Sequence, residues 1–202
     1  MHTWGIYNGR YGFSSGGRLL KIAAEDKPHV DAMLAVELER TGEIAGTPAT
    51  IDDLVAQVKR AEGDGFDSAW FAQIFGVDAI MACAIAGRET QRIELGTAVV
   101  PTYPRHPTAM ATQALTANAA CRGRFALGIG LSHQLVIVGM LGLSFAKPFT
   151  HMREYLGVLR PLLEQGSASF SGSEFRVNAN VSVTRSEEHT SELQSPYVIS
   201  YA

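Results

Sequence analysis

A chain of 202 residues, 46% apolar and 18% charged, is long enough to bury a sizeable core and too apolar to stay disordered. A formal charge of -3 gives no electrostatic footing for nucleic acid or an anionic membrane surface, so neither is expected as a partner. The longest strongly apolar run, Leu135–Leu143, falls well short of the roughly 20 residues that span a bilayer, and the first residues lack the apolar stretch of a secretory signal, which points to a cytoplasmic protein.

Residues 1–32 are rich in Gly and Ser early and keep no sustained period. They are expected to be disordered, or an upstream over-extension of a protein that starts at Met33. From Met33 the pattern sharpens. "MLAVEL" (33–38) reads as a buried strand. Thr50 is a good N-cap for a helix whose apolar face is Ile51, Leu54, Val55, Val58 and Ala61, with Asp52 and Asp53 at its positive end. Strands are predicted at 66–73, 92–100 and 124–130, and helices at 77–89 and from Pro107 to a Gly stop at 123. A last long helix over 150–166 carries the stripe Met152, Tyr155, Leu156, Leu159 and Leu163, and Pro161 should kink or end it locally. Residues 167–183 alternate about the turn "SGS" as a hairpin would. Cys83 and Cys121 fall in helical stretches without metal-ligand spacing, so buried, reduced thiols are expected and no metal site.

Strand starts near 33, 66, 92 and 124, each followed by a helix, are the signature of βα units. Such units build either a doubly wound sheet or a TIM barrel, and the pattern alone leaves both open. Function in either lies at the carboxyl ends of the strands. Those ends are Phe71–Gln73, Thr97–Pro107 and Gly128–Gln134. The last begins as G-x-G but has His133 where a dinucleotide fingerprint needs its third glycine. Gly128 and Gly130 then have two readings, close packing between strands or close approach to a cofactor. His133 has two as well, a solvated or capping residue or a catalytic one. Tyr103, Arg105 and His106 read as ordinary residues of a loop stiffened by Pro104 and Pro107, and His151 and Arg153 as decoration of a solvated helix face.

The segments "GTAVVPTYPRHPTAMATQA", "GRFALGIGLSHQ" and "P-x-x-x-M-R-E-Y-L" (148–156), in this order, resemble the luciferase-like monooxygenase superfamily, and within it the F420-dependent oxidoreductase branch of actinobacterial type. The resemblance implies a (β/α)8 barrel that binds a deazaflavin, F420, or alternatively FMN, over the strand ends. It implies hydride transfer to or from an unidentified small organic substrate. Carried over residue by residue, it places a non-prolyl cis peptide at Ala98–Val99 and cofactor contacts at Gln73, Thr97, Ala98, Val99, Gly128, Gly130 and Ser132. His133 would serve as proton donor or as a hydrogen-bonding group to substrate or cofactor. A glutamine at 73 cannot titrate, although relatives carry a histidine or another polar contact there.

A closed barrel needs eight strands and typically about 250 residues. Four βα units make the expected object the N-terminal half of a TIM barrel over residues 33–184, inactive as a fragment of a parent enzyme whose homo-oligomer formation stays open. A non-catalytic βα scaffold is the alternative of another class. The last eighteen residues, Arg185–Ala202, break the rhythm altogether. Residues 185–195 can be spelled, in one unbroken frame, by the start of a widely used short-read sequencing adapter, and 199–202 by its continuation after the sample index. They are expected to be translated adapter, and a native stop codon found after the same tail in the source gene would refute this.

Overall fold

Thr50 opens the first helix, α1 (Ile51–Gly63), through a full capping box. Its Oγ1 accepts from the Asp53 N–H at 3.1 Å, and the Asp53 carboxylate accepts from the Thr50 N–H at 2.9 Å. Two donors that the helix start would strand are thereby satisfied, and Leu54, Val58 and Ala61 turn inward. The computed structural model describes residues 50–73 and 75–183, together with the strand backbones at 4–7, 10–13, 34–36 and 198–201.

In chain order the strands are β1 (Trp4–Tyr7), β2 (Arg10–Phe13), β3 (Leu34–Val36), β4 (Ser68–Phe71), β5 (Glu94–Thr97), β6 (Val100–Pro101), β7 (Phe125–Gly130), β8 (Ser167–Ser171), β9 (Arg176–Asn180) and β10 (Val198–Tyr201). The helices after α1 are α2 (Ala79–Glu89), α3 (Pro107–Ala120) and α4 (Pro148–Gln165), with a π-helical turn at Leu135–Met140 between β7 and α4. Within the stretch expected to be irregular, β1 and β2 form a short antiparallel hairpin. The rest of residues 1–32 lies outside the described residues.

The main sheet runs β10-β7-β5-β4-β3, all parallel, with β6 also pairing to β7. This order decides between the two architectures. A doubly wound sheet reverses direction at a switch point, whereas a barrel wall adds each new strand beside the last. Here spatial order follows chain order without reversal, so the sheet is a segment of barrel wall. β10, inside the stretch expected to be foreign, occupies the next place in that order.

The helices line one side of the wall, with α1 against α2, α2 against α3 and α3 against α4. Two close approaches set the spacing. A Cβ on Gly96 would come within 2.4 Å of the Trp70 ring, and one on Gly87 within 2.3 Å of the Cys121 Sγ, so both positions need bare backbone. Both thiols are free and buried. The Arg124 guanidinium donates to the Gly87 and Thr90 carbonyls at 2.9 and 3.0 Å, closing the carboxyl end of α2. Burial pushes the Cys121 thiol up to about 12, which keeps it protonated and inert.

α4 differs from expectation in two ways. It begins at Pro148, a favoured first-turn proline, and it runs past Pro161 for another turn before Gly166 ends it in the left-handed conformation. Val158 and Leu159 before Pro161, and Leu162 and Leu163 after it, are all buried, and that shared packing carries the helix through the missing N–H. The β8–β9 hairpin forms as predicted and folds back on α4.

Candidate active site at the carboxyl ends of the strands

The strand predicted at 92–100 splits into β5 and β6 around a cis peptide at Ala98–Val99, the bond that the family resemblance implied. The Ala98 N–H donates to the Phe71 carbonyl at 2.8 Å, and the Gln73 N–H donates to the Val99 carbonyl at 3.4 Å. The end of β4 is thus stitched to the bend. On the other flank, Thr97 Oγ1 donates to the Gly128 carbonyl at 2.8 Å and accepts from the Gly128 N–H at 2.9 Å. A Cβ on Gly128 would sit 1.9 Å from the Thr97 carbonyl oxygen. Of the two readings of Gly128, packing between strands is therefore its evident duty. The Gly130 carbonyl accepts from the Thr102 N–H at 2.9 Å. Beyond it, Ser132 takes a left-handed φ of 65°, and His133 stands exposed where the π-helical turn begins, its carbonyl accepting from the Val136 and Ile137 N–H groups.

A cavity of about 400 Å³ opens beside this bend. Phe75, Pro101, Pro104, Val136, Ile137 and Leu141 give it apolar walls, and Gln73 and Arg105 are its polar side chains. Arg105 forms an ion pair with Asp78, and its Nη2 also donates to Gln73 Oε1 at 3.2 Å. The same oxygen accepts from the Ala79 N–H at 3.2 Å. Asp78 meanwhile caps α2 by accepting from the Met81 N–H at 3.0 Å. One carboxylate thus starts a helix and fixes a guanidinium in the cavity wall. The Arg105 backbone is held too, since the Tyr155 hydroxyl donates to its carbonyl at 3.0 Å.

Behind the same loop lies an aromatic cluster. Tyr103 stacks on His151 with ring centres 3.9 Å apart and planes 7° from parallel, and Phe145, Tyr155 and Phe175 complete the group. His151 is 7% exposed, and its Nε2 lies 3.1 Å from Thr102 Oγ1. The expectation of a solvated His151 is thus corrected. It stands four residues before Tyr155 on the buried face of α4, where helical spacing brings both against the loop. Burial pushes its imidazole below the ordinary range, against an opposing pull from Glu174. Arg153 does face solvent, as expected.

The luciferase-like monooxygenase profile matches residues 33–200, from just before β3 into β10. The chain belongs to this family. Among its relatives is a Mycobacterium tuberculosis protein provisionally named a coenzyme F420-dependent oxidoreductase, 38% identical over 121 residues, covering 59% of this chain and 35% of that one. An F420-dependent glucose-6-phosphate dehydrogenase of Intrasporangium calvum is 33% identical over 141 residues, covering 62% of this chain and 42% of the enzyme. The solved coenzyme F420-dependent tetrahydromethanopterin reductase of Methanopyrus kandleri superposes with a TM-score of 0.61 at 25% identity, covering 70% of this chain and 45% of the reductase. The chain thus spans between about a third and under half of the length of these relatives.

Within this luciferase-like wall, Gln73 is the residue expected from sequence that lines the cavity. Ala98 and Val99 form the adjoining bend, half-buried, while Thr97, Gly128 and Gly130 are buried between strands and Ser132 and His133 lie on the shoulder. Asp78 and Arg105 were missed as site residues. Pro104 and Pro107 bracket Arg105 and were the available sign that its backbone is fixed, but nothing in the sequence pairs it with Asp78 across 27 residues. Among the described residues no helix is long and apolar enough to cross a membrane, and no group of three or more His, Cys, Asp and Glu side chains is placed to hold a metal ion.

Proposed function

We propose that this chain is the cofactor-binding half of an F420-dependent oxidoreductase acting on a small organic substrate. The observation that carries this reading is the apolar cavity with two polar side chains, set over the strand ends beside the Ala98–Val99 bend of a luciferase-like barrel wall. The similarity to F420-named relatives supports the choice of cofactor. Apolar walls suit a fused aromatic ring, and the Gln73 amide and Arg105 guanidinium suit its carbonyl and imide edge. When bound, the deazaflavin supplies two-electron hydride chemistry at its C5.

The protein's own part is to bind, to orient and to handle a proton. Pro101, Pro104 and Ile137 keep water from one face of the cavity, while Gln73 and Arg105 hold the ring edge. His133, exposed on the shoulder, gives or takes the proton that accompanies hydride transfer. No residue of the Arg185–Ala202 tail has a role in this scheme.

Titration of the whole protein with F420 and, separately, with FMN, followed by their fluorescence, tests the reading. Retention of F420 and loss of its oxidised absorbance with a hydride-donating substrate is the expected result. Retention of FMN alone would move the protein to the flavin-dependent alternative, and binding of neither without any hydride transfer would sink the enzyme reading. In the active protein, His133→Ala should lower turnover by roughly a hundredfold or more with cofactor affinity unchanged, and unchanged turnover removes His133 from the site.

A further inference from the structure

Among the described residues Gln73 is the one neutral polar side chain in the cavity wall, and its surroundings determine which end of the amide faces the ligand. Arg105 Nη2 and the Ala79 N–H both lie 3.2 Å from the same terminal atom. A guanidinium and a backbone amide can only donate, so that atom is the carbonyl oxygen whichever way the amide is first drawn. The NH2 group has no protein partner among the described residues and is what Gln73 has left to offer. Arg105, the other polar lining side chain, is likewise a donor without acceptor capacity. Its place is fixed by Asp78, in a pair whose side chains are 13% and 32% exposed. Asp78 itself is not part of the lining, so among the described residues no carboxylate faces the cavity.

We infer that Asp78 and Arg105 are positioning residues that lock Gln73 with its NH2 toward the cavity, so that both polar side chains of this wall present donors and favour a ligand edge of hydrogen-bond acceptors, a ring carbonyl or a deprotonated imide. This deepens the proposed function and rests on it for the identity of the ligand. The amide lock itself does not depend on that reading. An acceptor or an anion at position 73 would face the ligand's own lone pairs, whereas the amide meets them with two hydrogens.

The test compares Gln73→Glu, Asp78→Asn and the parent in the whole protein. Gln73→Glu keeps an oxygen for Arg105 and Ala79, turns the donating NH2 into an acceptor and adds a negative charge beside Arg105. It should weaken binding of the retained cofactor, F420 or FMN, by at least roughly tenfold, with a thermal midpoint equal to or above the parent's. Asp78→Asn keeps a cap for the Met81 N–H but releases Arg105, and should weaken binding by a smaller factor. Nitrogen-15 spectra give a readout apart from binding. The Gln73 NH2 pair, identified by its loss in Gln73→Glu, should move in Asp78→Asn and move again when cofactor is added to the parent. Parent-like cofactor affinity in Gln73→Glu overturns the inference, as does an NH2 pair that ignores Asp78→Asn. If the parent retains neither F420 nor FMN, the proposed function fails and the Asp78→Asn spectrum alone decides the lock.

Discussion

The turn between β8 and β9 and the loop between β7 and α4 are both surface connections, and they meet the demands of their backbones in opposite ways. The first is tied down from outside. The Glu154 carboxylate, on α4, accepts from the N–H groups of Ser173, Glu174 and Phe175 at 2.8 to 3.1 Å and from the Ser173 hydroxyl at 3.0 Å. Gly172 has no room for a side chain, because its Cβ would meet that carboxylate at 2.2 Å. The second connection satisfies itself, winding Leu135–Met140 into a π-helical turn. It buries Ile137 and leaves Leu135 78% and Met140 61% exposed. A turn held by a charged side chain has one structure and little freedom. A self-satisfied turn with apolar groups outward is a surface still able to meet something else.

The largest expected effect comes from cutting the first tie. Glu154→Gln replaces an acceptor of the turn's N–H groups with a donor and should lower the thermal midpoint more than a change at His151 or Leu135 does. Its pH dependence is specific. The Glu174 N–H, ahead of the opposing effect of burial, holds the Glu154 carboxyl down to about 2 from an ordinary 4.5. A lowered acid stabilises the fold fully above the unfolded value and loses that contribution as pH falls to the folded one. The gap between parent and Glu154→Gln should therefore be full above about 4.5 and close as pH approaches 2, and a gap constant across that window would break the comparison.

A smaller effect is expected at His151, which packs against the same turn through Phe175. Its imidazole is depressed below the ordinary 6.5, mainly by burial. The unfolded chain then binds the proton more readily, so stability is full above about 6.5 and declines as pH falls below it. His151→Gln, which can still bond Thr102, should flatten that decline in urea unfolding measured across the range. The smallest effect is expected in the other connection. Leu135→Ser should change stability by no more than about 0.5 kcal/mol, while lowering binding of a hydrophobic dye and self-association seen by light scattering. A substantial loss of stability would show that Leu135 is less free than its exposure says.

Much of the wall was legible because its signals are local. Thr50 with Asp53, Pro107 opening α3 and the apolar strands each announce an element within a few residues. The site was less so. Strand order is a property of pairing, and β3 to β7 are equally apolar in either architecture. His151 sits at helical spacing from Tyr155, yet its polarity argued for solvent, and only the stacking on Tyr103 explains its burial. Asp78 caps the start of α2. Its second duty toward Arg105 needed the loop after β6 to fold back over α2's start.

The unreversed order of the wall also has a consequence for how the chain comes to be folded. Leu34 meets Ala69, Ala69 meets Leu95, and Leu95 meets Phe125, so each pairing from β3 to β7 joins segments only about thirty residues apart, while β10 reaches back from Val198 to Leu127. Each closure from β3 to β7 costs a modest loop entropy, and none of these strands must wait for a distant one before it finds a neighbour. Assembly can keep pace with synthesis, each βα unit docking on the one before while the next leaves the ribosome.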